Sequence, residues 1–380
     1  MIANNNSIVL IGPVYPYKGG IAHYTGLLCR ALQKSYAVEM ISYKMQYPKL
    51  MLRREQKDYS NDSFKIEDTK YLLNTANPFN WVKTAGQIQK MSAQTVIIEW
   101  WHPYFAPCYY VLAKLLRKKR LIFICHNVFP HERFPLDQKL TRMVLKQGDG
   151  FVLHSQTEAK DLLSIKPDAA YKVQVHPTYN AFKLENMSKE HARELLGLRT
   201  EEKVLLFFGY VRPYKGLQYL IEALPQIDKR LQDVKLMIVG DFGEDQETYL
   251  NLIQTCGVKD TVLIKDGYTP DKEVEKYFAA SDLVVLPYES ATQSGIVQIA
   301  YGFTKPVIVT NVGGLPEVVT DNQTGYIVEP KDVNGLAEAI IHYFEAEKEQ
   351  EFIENIHAEE QRFSWERMVE AIQTFELKNI

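Results

Sequence analysis

The stretch VLLFFGYVRPYKG (204–216) decides the fold. Its five leading apolar residues are too few for a helix and read as a strand covered on both faces. Gly209 then lets the backbone turn and approach a ligand. Arg212 offers a planar fork suited to phosphate oxygens, and Lys215 a mobile point charge. Gly216 follows, and 217–224 has helical spacing. Strand, glycine loop and helix in that order form the repeating unit of an open parallel sheet. The loop lies at the carboxyl end of the strand, where such sheets bind ligands. The alternative is a surface loop with two solvated cations.

The same alternation continues outward. Strands are expected at 236–240, 261–264, 283–287 and 306–310, with helices at 274–280 and from 295. Before the quoted stretch, strands are expected at 7–12, 37–41, 95–98, 121–125, 150–153 and 173–176, with a helix at 21–32. VIIE (96–99) and LIFIC (121–125) carry apolar residues on both faces, as strands covered by helices do. The reading is α/β, with two doubly wound Rossmann-like domains facing a central cleft. The polar segment 183–200 marks the junction. Residues 1–183 form the first domain and 184–362 the second, with a last helix at about 363–380 crossing back to the first.

The chain has 380 residues, 46% hydrophobic and 24% charged, which excludes disorder as the main state. No apolar run nears the roughly 18 residues that cross a bilayer. The start, MIANNNSIVLIG, lacks the basic region of a secretory signal. Cys29, Cys108, Cys125 and Cys256 are scattered, which argues against a disulfide scaffold or zinc site and for a reducing cytoplasm. Residues 1–183 hold 25 Lys and Arg against 13 Asp and Glu, a net of +12, and the remainder 19 against 34, a net of −15. The first half is therefore expected to face something anionic: a phospholipid surface, a phosphorylated acceptor or nucleic acid. No nucleic-acid-binding module is present, so nucleic acid is set aside.

Four further places carry candidate chemistry. In PYESATQSGIVQ (287–298), Ser294 and Gly295 open a helix whose free N–H groups suit phosphate; Ser294 is equally an N-cap. Gly19 and Gly20 sit in the first strand-to-helix loop, as a ligand contact or a turn. His126, with Asn127 after LIFIC and His131 beyond, either bonds a substrate hydroxyl or is structural. EWWHPYF (99–105), with His102 and Tyr104, is either core or a stacking wall for a sugar or apolar chain. Together with Tyr17 and His131, these residues make the expected acceptor or membrane side. Lys114, Arg117, Lys118, Lys119 and Arg120 follow it, as a solvated helix end or a membrane contact.

These residues resemble the retaining glycosyltransferases of family 4, group 1, which have the GT-B fold. The match runs from Val204 to about Ile340 through Gly209, Arg212, Lys215 and Gly216, then Gly240, Gly267 and Tyr268. It continues through Asp282, Pro287, Gly295, Pro306, the Gly313–Glu317 segment, Gly325 and Asp332. Gly19, Gly20, His23 and His126 fit more loosely, as does the Phe363–Trp365 segment. The resemblance implies that Arg212 and Lys215 hold a donor diphosphate, that Gly267 and Tyr268 lie against the nucleotide base, and that Gly209 is among the donor-binding residues. N–H groups near Ser294, Gly295 and Ile296 would meet the phosphates, Gly19 and Gly20 would close on the diphosphate and sugar, and His126 would touch the sugar. It implies neither metal nor cofactor. The implied reaction is hexosyl transfer, with retention, from a nucleotide sugar to a saccharide or lipid-linked saccharide. That acceptor suits bacterial surface-polysaccharide synthesis at the cytoplasmic face of a membrane.

One departure stands out. The family carries two glutamates around the 295 helix, the second binding the nucleotide ribose; aligned on Gly295, those places hold Thr292 and Ala300. Gln293 and Ser294 are the residues expected to remake part of that pocket. A GT-B binding or regulatory protein and a nucleotide-sugar epimerase are the alternatives.

Overall fold

The computed structural model describes residues 7–49, 51, 55–59, 62–130 and 133–376. They form two compact units, residues 1–175 with 364–380 and residues 176–363.

The first unit is built on seven parallel strands: β1 (Ser7–Ile11), β2 (Ala37–Met45), β3 (Lys70–Asn74), β4 (Thr95–Trp100), β5 (Arg120–Cys125), β6 (Gly150–Leu153) and β7 (Tyr171–Val173). Their order is β3-β2-β1-β4-β5-β6-β7. Ile8 of β1 lies opposite Val38 on one side and Thr95 on the other, so the order reverses between β1 and β4. Every residue of β4 is buried, as its apolar run requires. Helices α1 (Gly20–Gln33), α2 (Pro78–Gln89), α3 (Ala106–Leu115), α4 (Asp137–Leu145) and α5 (Gln156–Ile165) connect the strands. α2 starts at Asn77, whose side chain accepts from Asn80 N, and α5 at Ser155, which caps Glu158 N. The sheet side facing α2 and α3 holds Trp81, Ile88, Trp100, Phe105, Tyr109 and Leu112 in one apolar cluster.

The last strand differs from the sequence expectation of 173–176. β7 pairs with β6 over Tyr171–Val173, and the final ladder bond is Gln174 N to Leu153 O at 2.8 Å. Pro177, which has no N–H, follows as the chain leaves the sheet.

The second unit begins its regular structure with α6 (Lys189–Leu196). Its strands are β8 (Lys203–Phe208), β9 (Val234–Gly240), β10 (Val262–Asp266), β11 (Leu283–Leu286), β12 (Val307–Thr310) and β13 (Gly325–Val328). All pair in parallel, in the order β10-β9-β8-β11-β12-β13, so this sheet reverses between β8 and β11. Helices α7 (Leu217–Arg230), α8 (Gln246–Cys256), α9 (Asp271–Ala280), α10 (Gly295–Gly302), α11 (Val333–Glu345) and α12 (Glu349–Ala358) complete it.

The polar stretch near 183–200 is pinned by buried carboxylates. Glu275, 2% exposed, accepts the backbone N–H groups of Leu184, Glu185 and Met187 at 2.8, 2.8 and 2.9 Å. Asp282, 5% exposed, accepts Val204 N at 2.6 Å and Arg193 Nη2 at 2.8 Å, and pairs with Lys189. A final helix, α13 (Trp365–Glu376), belongs to the first unit and packs on α1; Lys34 and Glu366 pair at 2.7 Å and the Trp365 and Tyr24 rings are 5.2 Å apart.

Candidate functional site

In the second unit the loops leaving β8 and β11 flank the point where strand order reverses, the place where open sheets of this kind hold ligands. The β8 loop is a short 3₁₀ turn, Pro213–Lys215, closed by Gly216 in the left-handed region at φ 67°. Gly216 permits contact that no other residue would: a Cβ there would sit 1.9 Å from the carbonyl oxygen of Pro287. The two loops are also joined by Glu289 N donating to Tyr214 O at 2.7 Å.

This packing sets Lys215. Its ammonium lies 5.7 Å from the centre of the buried Tyr288 ring and beside Gly209. A Cβ on Gly209 would be 3.3 Å from Lys215 Nζ and 3.6 Å from Ile296 Cδ1, so this glycine (φ 104°) stands between the ammonium and the first turn of α10. Burial strips water from the amine, Arg212 adds a like charge, and the pKa falls to about 8. Arg212 donates to the carbonyl of Val211 at 2.8 Å, with its guanidinium 5.8 Å from the Tyr210 ring centre. A desolvated amine beside a guanidinium is a site that an anion would relieve.

Helix α10 supplies the other side. Ser294 is its N-cap, and its hydroxyl accepts from Ile296 N at 3.3 Å. The cap thus occupies one N–H that sequence reasoning offers to phosphate, while Gly295 N remains at the open helix start. Gln293 Oε1 is buried with no hydrogen-bond partner. Gln298 is fully buried, and both its amide atoms lack partners. Ala300 is fully buried as well. Glu289 is committed elsewhere: it accepts from Tyr219 Oη at 2.7 Å and Gln218 Nε2 at 3.1 Å, and pairs with Lys331 at 2.9 Å. Those donors hold its carboxyl below the usual range. Gly267 follows β10, its N–H bonded to Gly240 O at 3.1 Å, and Tyr268 beside it is half-buried.

In the first unit the corresponding point lies between β1 and β4. Gly19 (φ 103°) precedes α1, and neither it nor Gly20 has a heavy atom within 4 Å of where a Cβ would stand. Behind them, parallel pairing of β4 and β5 sets Glu99 and His126 together: Glu99 Oε2 is 2.7 Å from His126 Nε2. Glu99 is 0% exposed and His126 2%. Burial alone pushes Glu99 well up and His126 down to about 3. Tyr24 meets the His126 ring edge-on at 4.6 Å, and His154, also pushed down to about 3 by burial, is 5.3 Å away. Glu158, raised to about 8 by burial, accepts from Val128 N. Sequence reasoning singles out His126 and misses its carboxylate partner. The available signal is an acid closing a strand otherwise apolar, TVIIEW (95–100).

The residues expected on the acceptor side have the following surroundings. His102 Nδ1 accepts from Tyr104 N at 3.0 Å, capping a 3₁₀ turn, and the ring stacks on Phe134 at 5.9 Å. Tyr104 Oη lies 2.9 Å from Thr75 Oγ1. Tyr17, 4% exposed, donates to the carbonyl of Tyr43 at 2.9 Å. Tyr17, Tyr43, Trp101 and Phe105 belong to the apolar cluster, and Tyr104 packs against it. In the basic run, Lys119 is buried and donates to the carbonyls of Met91 and Ala93. His131 lies outside the described residues. Among the described residues no group of His, Cys, Asp and Glu is placed to hold a metal ion, and no helix is long and apolar enough to cross a membrane.

Comparison with known proteins places this geometry. Residues 188–359 match the family model of glycosyl transferases group 1. The D-inositol 3-phosphate glycosyltransferase of Mycolicibacterium smegmatis is 27% identical over 244 residues, covering 63% of this chain and 55% of that protein. The enzyme of the same name from Mycobacteroides abscessus is 31% identical over 204 residues, 52% of this chain and 45% of that one. The chain thus spans about half the length of these relatives. Among solved structures, HepE from Anabaena in complex with UDP aligns over 97% of this chain and 99% of its own, with TM-score 0.73 and 18% identity. The sucrose-phosphate synthase of Thermosynechococcus elongatus aligns over 98% of both chains, with TM-score 0.72 and 19% identity. Residues 188–359 are thus similar to the glycosyl transferases of group 1, and the whole chain has the GT-B fold of two Rossmann-like units.

Proposed function

We propose that the protein is a retaining glycosyltransferase that moves a hexose from a nucleoside-diphosphate sugar to a saccharide or lipid-linked saccharide. One observation carries the reading: the desolvated Lys215 ammonium and the first turn of α10 flank Gly209 at the β8–β11 switch point. Fixed positive groups in such a place stabilise the charge of a departing diphosphate. UDP in the HepE structure of the same fold makes UDP the first donor nucleotide to try. In the reaction, the bond from the anomeric carbon to the diphosphate oxygen breaks. The acceptor oxygen bonds to that carbon on the same face, and the acceptor proton passes to a phosphate oxygen. Retention and this proton route rest on the resemblance to family 4.

The acceptor side is read from charge. From residue 69 to 131 the sequence has eight Lys and Arg and one acid, Glu99, which is buried. On α2, Phe79 is 88% and Val82 55% exposed. Lys83, Lys90, Lys114, Arg117 and Lys118 are exposed on α2, α3 and just beyond them. A basic face with protruding apolar side chains suits an anionic membrane surface carrying a lipid-linked acceptor. The protein would then act at the cytoplasmic face of the membrane, in bacterial surface-polysaccharide assembly.

A screen of UDP, GDP and ADP by thermal shift, followed by sugar-donor hydrolysis and transfer to lipid extracts, tests the proposal. Binding of one nucleotide with turnover of its sugar supports it. Failure to bind any of them defeats it. A second reading, nucleotide binding without transfer, is favoured by Ala300, which leaves no carboxylate at the family's ribose position. Tight binding with no turnover on any donor would select it.

A further inference from the structure

We propose that Glu289 is a positioning residue: it clamps both sides of the turn that carries Lys215, so that the ammonium meets a diphosphate from a fixed, dry place beside Gly209. The proposal rests on the reading above in which a donor diphosphate binds at the β8–β11 switch point.

Glu289 lies in the loop that leaves β11, just past Pro287. It holds the Lys215 turn from two directions. Its backbone N–H donates to the carbonyl of Tyr214, the residue before Lys215, at 2.7 Å. Its Oε1 accepts from Tyr219 Oη at 2.7 Å and Gln218 Nε2 at 3.1 Å, both in the first turn of α7 beyond Gly216. Lys331, from the segment after β13, pairs with Oε2 at 2.9 Å. The anchor is itself fixed. Its neighbour Tyr288 is 3% exposed, and the Tyr288 carbonyl accepts from Thr310 Oγ1, at the end of β12, at 2.6 Å.

A lysine on a loose turn keeps its rotamer freedom and its water, and gives up both when it binds. Lys215 lies over the Tyr288 ring and Gly216 lies against the carbonyl of Pro287, contacts that require the turn to be pressed onto the 287–289 segment. Glu289 presses it there on either side of Lys215. The charged and titratable groups around the amine are Arg212 and Tyr214 on its own turn, Tyr288 and Glu289 after β11, and Asp241 after β9, whose carbonyl accepts from Val211 N at 2.9 Å. Helix α10 brings Ile296, which does not titrate. Of these, Arg212 is the one that shifts the amine, after burial. The Glu289 charge is answered by Lys331, Tyr219 and Gln218. Glu289 therefore acts on Lys215 by holding the turn and not through its own field. The two routes have opposite signs. Removing a carboxylate that acted through its field would lower the amine's pKa further, whereas releasing the turn returns water to the amine and raises it toward the ordinary 10.4.

The test is the titration of the Lys215 ε-methylene in ¹³C-lysine-labelled, full-length, unliganded protein, with the resonance assigned by Lys215→Met. Wild type should titrate near pH 8. Glu289→Ala should raise the midpoint by about one unit or more, toward 10.4. It should also weaken UDP binding at pH 7 by about 2- to 13-fold, the cost of immobilising one long side chain on binding. Glu289→Gln keeps an oxygen for Tyr219 and Gln218, and should stay within about half a unit and about twofold of wild type. A folded Glu289→Ala whose Lys215 midpoint is unchanged or lower overturns the proposal, as does a Glu289→Gln that behaves like Glu289→Ala. If Glu289→Ala fails to fold, Gln218→Leu with Tyr219→Phe decides, because it removes both α7 donors. Its Lys215 midpoint should rise, and an unchanged one overturns the proposal. If wild type binds none of UDP, GDP and ADP, the transferase reading fails while the lysine titration still decides the clamp.

Discussion

Lys215 makes nucleotide binding depend on pH in a calculable way. In the unliganded protein its pKa is about 8, lowered first by burial and then by Arg212. At pH 7 the amine is therefore about nine-tenths protonated, and at pH 9 about one-tenth. A diphosphate beside it favours the charged form, so the pKa in the complex returns toward the ordinary 10.4. Binding above pH 8 must then take up a proton. The terminal phosphate loses its own last proton near pH 6, below this window. With the free amine at 8, the dissociation constant should rise about tenfold between pH 7 and 9. Calorimetry with UDP, or whichever of GDP and ADP binds best, gives both numbers. Repetition in buffers of different ionisation enthalpy gives the proton count. Lys215→Met removes the charge and keeps much of the volume. It should weaken binding at pH 7 by about 10- to 150-fold, the equivalent of a charge-assisted hydrogen bond, and abolish the pH slope. A wild-type affinity that varies less than twofold from pH 7 to 9 would refute the reasoning, as would an unchanged slope in Lys215→Met.

Three other perturbations probe the same framework. Gly209→Ala forces a side chain into the left-handed region at φ 104° and within 3.3 Å of Lys215 Nζ; it should cost about 1–3 kcal/mol in local strain and weaken nucleotide binding at least tenfold, by calorimetry. Asp282→Ala leaves Arg193, 4% exposed, without its carboxylate and should lower unfolding free energy by about 3–5 kcal/mol in urea; a loss under 1 would show that the pair does not anchor α6. Phe79→Ser with Val82→Ser should release the protein from anionic vesicles at low salt without changing its melting temperature by more than a degree or two, and raised salt should release the wild type. Equal binding to neutral and anionic vesicles would remove the electrostatic part of that reading.

Much of the architecture is legible because central strands of a covered parallel sheet must be apolar on both faces. VLLFF, TVIIEW and LIFIC meet that condition and are central strands. Lys70–Asn74 escapes the same reading because it is the edge strand β3, with only Leu73 fully covered. The loop holding Arg212 and Lys215 is legible because its glycines and charges lie within eight residues of a strand end. Ser294 shows the limit of that reasoning. Cap and phosphate ligand call for the same residue at the same place, and only its distance to Ile296 N shows that the cap is made. Glu289 is nearer the site in sequence than in chemistry, since Lys331, far along the chain, claims its carboxyl. The Glu99–His126 pair is the reverse case: 27 residues separate partners that strand register brings into contact.

The two units carry different electrostatics at the corresponding ends of their sheets, and the proposed chemistry needs that difference. In the second unit, Arg212, Lys215 and the α10 start gather positive charge around Gly209. That suits a diphosphate that becomes more negative as it leaves. In the first unit, the groups around His126 are pushed toward neutrality: Glu99 and Glu158 upward, His126 and His154 downward, each chiefly by burial. Sugar transfer builds positive charge at the anomeric carbon. A protonated histidine against the sugar would oppose that charge, whereas a neutral N–H can hold a hydroxyl without doing so. The acid that sequence reading overlooks is bonded to that histidine, and burial holds both groups toward neutrality. A cation introduced at Glu99, as in Glu99→Lys, should therefore damage catalysis more than Glu99→Leu. If a folded Glu99→Lys transferred sugar as fast as Glu99→Leu, the requirement for neutrality would be wrong.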